Sequence, residues 1–451
     1  MQKPKYSIVI PTCDRASLLE YTIKGCLLQN YDNYELLVSD NYSKDNTKVI
    51  LGSFKKDPKI RVVETKSRLA MPNHWEFAMS HALGEYIIIL GDDDGVSPNL
   101  LMILDEIIDT SGANIIKWQS CLYHHPDWPG PEANTLRINK LFSNNVDKIS
   151  PELVIKDYAN IRFKYFPNLL QTCISKDLYK RAKEKAGKVF VGAPDYSCPA
   201  LLLMSPSAKY AYIDSVLGMG GRSKFSNAAY YFSQDKSRFK RSKDFYSEFG
   251  DSDILPHHKL KIFSSTNVIM ASLSYALHYY PNNRIENLIN WTELCRRTHQ
   301  EIIKHKGKNS LFNDLQLKDF YKFVQSMPKR QRKVIYNQID HKSFNDKISS
   351  IVKMIFNYSK SIIRTLPNSF QTILKSIIRN PDPVVFLDVS EYGCHNGEEV
   401  IAKLDYLVAL GDSNYDANSR IKNHNTKGLE KIEKIGEIKN DSDGFLTFFP
   451  K

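Results

Sequence analysis

The sequence predicts an α/β fold on a mainly parallel sheet, followed by a mostly helical region and a small C-terminal α/β appendage. Three observations carry this prediction. Apolar, β-branched runs alternate with segments of helical spacing across residues 6–90, the pattern of βαβ units. Each run stops at a polar or acidic cluster. Beyond about residue 235 the runs give way to Lys and Arg clusters with helical patterns, until a last strand-like run at Val384–Val389. The expected domains are therefore 1–235, 236–380 and 381–451.

The elements come in order. Tyr6–Ile10 is a buried strand closed by Pro11-Thr12, and Ala16–Leu28 has apolar residues at helical spacing. Tyr34–Val38 is the second strand, stopping at Ser39-Asp40-Asn41, and a helix is expected near Thr47–Phe54. Ile60–Val63 is a third strand, Asn73–Leu83 a third helix, and Glu85–Leu90 a fourth strand that ends at Gly91-Asp92-Asp93-Asp94. In such sheets ligands bind beyond the carboxyl ends of the strands. Pro11–Arg15, Asp40-Asn41 and Asp92–Asp94 all fall there. In the second region Thr266–Tyr279 and Arg284–Lys304 read as helices. In the third, Val384–Val389 reads as a strand, Glu398–Leu404 as a helix and Tyr406–Leu410 as another strand.

Composition narrows the class. Hydrophobic residues are 42% and charged residues 25%, which excludes disorder and fibrous repeats. The formal charge of +12 favours an anionic partner such as a nucleotide, a phosphorylated substrate or a phospholipid surface. Seven scattered cysteines without a Cys-x-x-Cys pair fit a reduced compartment and no thiolate zinc site. No run reaches the ~18 apolar residues of a spanning helix, so a cytoplasmic protein is expected, with the inner membrane face as a peripheral docking place. His124-His125 and His257-His258 have no second cluster at metal spacing, and structural or surface roles are expected for them. Lys342–Arg379, where basic residues alternate with isoleucines, is expected either to lie on anionic lipid or to pack on the first domain.

The strongest chemical signal is Asp92-Asp93-Asp94 after an apolar strand. Adjacent carboxylates repel, a cost usually borne where a cation or many donors neutralise it. Mg2+ and Mn2+ favour one or two carboxylates with substrate phosphates. The competing reading is a solvated acidic turn.

Ser7–Arg15, Leu36–Thr47 and Gly84–Asp94 together resemble the family 2 glycosyltransferases, in order and in spacing, and the likeness extends over about residues 5–230. The resemblance implies a GT-A fold, a nucleoside-diphosphate-sugar donor, most often a UDP-sugar, Mn2+ or Mg2+, and inversion at the anomeric carbon. Carried over by position, it implies that Pro11, Thr12 and Asp14 line the nucleotide pocket, that Arg15 approaches the diphosphate and that Asp40 accepts a hydrogen bond from the base. Asp92, Asp93 and Asp94 are the metal and ribose candidates. Asp93 takes the usual metal position counted back from Pro98, while Asp92 and Asp94 form an Asp-x-Asp (DXD) pattern of their own. Arg68 and Asn73 stand where the family has a donor-contacting loop, and Arg222 lies in Gly220–Asn227, similar to a Gly-x-Ser-x-x-Ser-Asn stretch of bacterial members. Ordinary surface roles compete for these three residues. Cys13, His74 and Ala228 depart from the common pattern.

Inverting transfer needs a carboxylate to take the proton of the acceptor hydroxyl. The family places it roughly a hundred residues beyond the triplet, which implies Asp195 in Ala193–Tyr196, before an apolar run at Pro199–Met204. Asp195 as a helix N-cap is the other reading. The expected function is sugar transfer to a hydroxyl of a glycan acceptor, in particular a lipid-linked precursor of a surface polysaccharide, without a nucleic-acid partner. Its competitors are a non-catalytic nucleotide-sugar or polyanion-binding protein and a nucleotidyltransferase. The latter ordinarily has glycines after its first strand, where this chain has Pro11–Arg15.

Overall fold

The computed structural model describes residues 3–128, 132–138, 145–226, 255, 257–262, 264–305, 314–339, 385–405, 407–408, 436–440 and 446–450. The basic stretch Lys342–Arg379 lies outside these residues.

The first part alternates as expected: β1 (Tyr6–Thr12), α1 (Ala16–Leu27), β2 (Tyr34–Asp40), α2 (Thr47–Ser53), β3 (Ile60–Glu64), α3 (Met71–His81) and β4 (Tyr86–Ile89). β1 pairs in parallel with β2 and β4, and β2 with β3. Every residue of β1 and β2 is buried, because helices cover both faces of the sheet. This is why these strands read as continuous apolar runs.

The chain then departs from simple alternation. It continues through β5 (Gly95–Val96), α4 (Leu100–Ser111), β6 (Ile115–His124), β7 (Thr135–Ile138), β8 (Val146–Ile149), α5 (Pro151–Ala159), β9 (Thr172–Ser175), α6 (Lys176–Ala186), α7 (Pro194–Leu203) and β10 (Tyr210–Arg222). β9 inserts between β4 and β6 and runs antiparallel to both. β10 lies parallel to β6, with register shifts between Ile213 and Val216 and between Val216 and Gly218. Such bulges bend a strand and re-aim the residues beyond them. They carry Gly218–Arg222 past the end of β4, where Gly218 and Met219 pair with β5.

The helices Ser265–Tyr279, Trp291–His305 and Asp314–Ser326 share one hydrophobic core with α3, α5 and α7. The single helix expected over Arg284–Lys304 is two. Asn282 caps Asn283–Asn287 through its side chain, and Asn290 Oδ1 accepts the Glu293 amide at 3.0 Å to start the next helix.

The last stretch also differs. β11 (Val385–Asp388) pairs antiparallel with β7, so it is an edge of the first domain's sheet. Residues 407–408, expected within a strand, are helical, with the Leu407 amide on the Lys403 carbonyl at 2.9 Å. Apolar alternation in so short a run fits helix and strand equally. A hairpin, Gly436–Asn440 with Leu446–Pro450, pairs only with itself among the described residues. None of the described helices is long and apolar enough to cross a membrane.

Candidate active site

The carboxyl ends of β1, β2 and β4 meet in one polar cluster, and its charges are heavily bonded. Thr12, at the end of β1, donates through Oγ1 to Asp92 Oδ2 at 2.7 Å. Arg15, just before α1, donates through Nη1 to Asp92 Oδ1 and through Nη2 to Asp93 Oδ2, the latter at 3.0 Å. Burial works against the charge on Arg15, but Asp92 and Asp93 outweigh it and hold the guanidinium protonated. One cation thus neutralises part of a triplet that would otherwise repel itself.

Each carboxylate has a different set of partners. Asp92 spends both oxygens on Thr12 and Arg15. Its carboxyl is pushed up, first by burial and then by Asp93, against the pull of Arg15. Asp94 also spends both oxygens, on the amides of Gly91 and Gly221, each at 2.9 Å. Burial, and after it the charge of Asp93, lifts the Asp94 carboxyl to about 7. Asp93 receives Arg15 and the Ser226 hydroxyl, at 2.9 Å, on Oδ2. No described residue donates to its Oδ1.

The backbone of the acidic turn is held as well. Thr22 Oγ1 lies 3.0 Å from the carbonyls of both Asp92 and Asp94, and His125 Nε2 lies 3.1 Å from the Asp93 carbonyl. Gly221 passes so close that a β-carbon there would overlap the Asp93 carbonyl oxygen. No larger residue fits.

Around β2 the cluster continues. Asp40 is 1% exposed, and its Oδ1 accepts the Ser43 amide at 3.0 Å while Oδ2 is buried without a partner. Burial pushes this carboxyl up against the hydrogen bonds from Ser43. A buried carboxylate oxygen left unpaired is costly. Asp14 has φ +55°, a left-handed conformation that Asp tolerates better than most residues. Its carboxylate accepts the Lys44 amide and Arg68 Nη1, both at 2.6 Å, and Ser43 Oγ accepts the Asp14 amide at 2.9 Å. His74 Nε2 lies 3.0 Å from Ser39 Oγ behind this edge, and burial lowers the imidazole to about 4. Pro11 is buried in β1 opposite Ser39, Asn73 is exposed in the first turn of α3, and Arg222 is exposed at the end of β10.

Asp195 occupies the first turn of α7, whose N-cap is Ala193 without a side-chain cap. Its Oδ2 accepts from Asn168 Nδ2 at 3.2 Å, and its carbonyl takes the Leu169 amide at 2.7 Å. The residue as a whole is half-buried, and burial raises its carboxyl to about 6 against the Asn168 bond. Leu170 bridges Ile89 of β4, and this joins the Asn168–Asp195 unit to the strand that ends in the acidic turn.

Of the expected residues, Thr12, Arg15, Asp92, Asp93 and Asp94 converge directly, and Asp14, Asp40 and Arg68 form the adjoining wall. Thr22, His125, Asn168, Ser226 and Gly221 are structural partners that sequence reasoning did not assign individually. Thr22 carried one signal, a polar residue on the buried face of α1. Among the described residues no group of three or more His, Cys, Asp or Glu side chains forms a cage for a metal. One carboxylate oxygen together with ligand phosphates is nevertheless an ordinary donor set for Mg2+ or Mn2+, and Asp93 Oδ1 fits it.

The description Glycosyl transferase family 2 matches residues 7–169. The GalNAc(5)-diNAcBac-PP-undecaprenol beta-1,3-glucosyltransferase of Campylobacter jejuni is 28% identical over 162 residues, 36% of this chain and 49% of that protein. The UDP-Glc:alpha-D-GlcNAc-diphosphoundecaprenol beta-1,3-glucosyltransferase WfgD of Escherichia coli is 31% identical over 88 residues, 20% of this chain and 34% of that protein. The chain thus spans about half the length, or less, of these curated relatives. S. aureus TarS 1-349 in complex with UDP-GlcNAc is 11% identical, with 74% of this chain and 88% of that one covered and a TM-score of 0.43. Motifs, parallel sheet and family match agree, and residues 7–169 of this chain belong to glycosyltransferase family 2.

Proposed function

We propose that the protein transfers a sugar from a nucleoside-diphosphate-sugar donor, most simply a UDP-sugar, to a hydroxyl of a glycan acceptor in surface-polysaccharide assembly, with inversion and with a divalent metal. The observation that carries this reading is the division of labour in the acidic turn. Asp92 and Asp94 are consumed by internal bonds, and Asp93 keeps one oxygen. The unpaired Oδ2 of Asp40 supports a nucleobase donor at the neighbouring edge.

Asp93 would hold Mn2+ or Mg2+, which when bound supplies positive charge to the leaving diphosphate. Thr12 and Arg15 keep Asp92 and Asp93 oriented. In the transfer, the acceptor oxygen forms a bond to the anomeric carbon while the bond from that carbon to the diphosphate oxygen breaks. The hydroxyl proton passes to the carboxylate of Asp195. With its pKa raised to about 6, Asp195 is ionised at neutral pH and more basic than an exposed Asp, as a general base should be. The acceptor we propose is lipid-linked, as the names of the two bacterial relatives describe for theirs, with the basic stretch Lys342–Arg379 resting on anionic lipid at the membrane face.

The test is release of nucleoside diphosphate from a panel of nucleotide sugars, with and without Mn2+. Asp93→Asn should abolish metal-stimulated release and leave the melting temperature near wild type. Full rates in chelator, or no nucleotide-sugar turnover at all, refute the reading.

A further inference from the structure

We propose that segment 385–408 is a brace for the acidic turn, setting the position of Asp93 through two contacts, so that residues far outside the family 2 domain complete its donor site. The proposal rests on the reading of Asp92–Asp94 as the donor and metal turn.

The first contact is made by Ile401, 1% exposed. A β-carbon at Gly25 in α1 would fall 2.5 Å from its Cδ1, and one at Gly95 would overlap its Cδ1 and Cγ1. Gly95 directly follows Asp94, so this side chain fills the space beside the turn, and a methyl on either facing glycine would have to displace it. Close packing of this kind transmits displacement, since a filled interior has no slack to absorb it. Further along the same turn, Asp405 Oδ2 accepts from Ser97 Oγ at 3.0 Å and from Asn99 Nδ2 at 3.1 Å.

The second contact runs through His125, 3% exposed, with Nε2 at 3.1 Å from the Asp93 carbonyl. Gly397 backs this ring, and a β-carbon there would lie 3.1 Å from His125 Cε1. The pairing of β11 with β7 and the bond from Asn134 Nδ2 to the Cys394 carbonyl, at 3.0 Å, hold the segment in register. Gly397 and Ile401, one turn apart on the helix Gly397–Ala402, thus reach the acidic turn at two points, through the His125 ring and at Gly95. Without the segment, the space beside Gly95 would lose the side chain that fills it.

The experiment compares full-length wild type, Ile401→Ala, Gly95→Ala and the double variant by hydrogen exchange of backbone amides, and by calorimetric binding of UDP with Mn2+. Each single variant should raise exchange across residues 91–99 by about tenfold or more while the amides of β1 stay at the wild-type rate, and should weaken Mn2+-dependent UDP binding by a similar factor. The double variant should recover part of both losses, because the Gly95→Ala methyl enters the space that Ile401→Ala vacates. If Ile401→Ala does not fold, Ile401→Val, which removes only Cδ1, makes the same comparison. Unchanged exchange at 91–99 in both single variants, or an equal rise in β1, overturns the brace. Failure of wild type to bind UDP sinks the donor reading, and the exchange arm still decides the brace.

Discussion

Replacing Asp195 by Asn should make the protein slower and more stable at once. Burial raises its carboxyl from 3.8 to about 6, so the fold disfavours the ionised form. The cost is absent below pH 3.8, grows as pH rises through the window up to about 6, and is complete above it. At 1.36 kcal/mol per pH unit this is at most about 3 kcal/mol, and less in practice because the residue is only half-buried. Asp195→Asn removes the charge and can retain the Asn168 contact. Its melting temperature at pH 7.5 should therefore rise by about 2–4 °C for each kcal/mol recovered, with little of that gain at pH 4. Turnover should fall by about a hundredfold or more, the scale of a lost general base, while donor KM barely moves. The wild-type rate should climb about tenfold between pH 5 and 7, as expected for a base titrating near 6, and the residual rate of the variant should lack that limb. Scanning fluorimetry across pH, together with pH–rate profiles of both proteins, measures all of this. Wild-type turnover in Asp195→Asn, or an unchanged acid limb, would falsify the assignment.

Other perturbations test the frame of the site. Gly221→Ala places a methyl on the Asp93 carbonyl and pushes the Gly221 amide off Asp94, so metal-dependent nucleotide binding should drop at least tenfold by calorimetry, and an unaffected affinity contradicts the close approach. His74 is lowered from 6.5 to about 4 by burial, so the stability it contributes is full above pH 6.5 and is lost as pH falls toward 4, up to about 3 kcal/mol. Denaturant melts from pH 7.5 to 4.5 should show that loss in wild type and not in His74→Gln. Thr12→Val leaves Asp92 Oδ2 buried without its donor, a change of about 1–3 kcal/mol readable as a lower denaturant midpoint, and an unchanged midpoint counts against that bond.

Local physics carries the part of this protein that the sequence by itself determined. β1 through β4 and α1 through α3 could be read from residue spacing, because β1, β2 and β4 are buried almost throughout and read as continuous apolar runs, while the edge strand β3 keeps a short β-branched run. The acidic turn was legible for the same reason, as charges placed directly after an apolar strand. Asp195 was placed through a resemblance, and spacing alone does not make it a base.

The features that only the tertiary structure decided depend on contacts remote in sequence. The reversal of β9, the bulges that bring Gly221 to Asp93, and the splitting of roles among Asp92, Asp93 and Asp94 depend on which strands become neighbours. His125 reaches Asp93 across 32 positions, Ser226 across 133, and Asp405 reaches Ser97 across 308. The appendage expected after residue 380 is in part an edge strand and a packing wall of the first domain. Periodicity within a short window says which face of an element is apolar, but the partner that covers it is chosen by the packing of the whole chain.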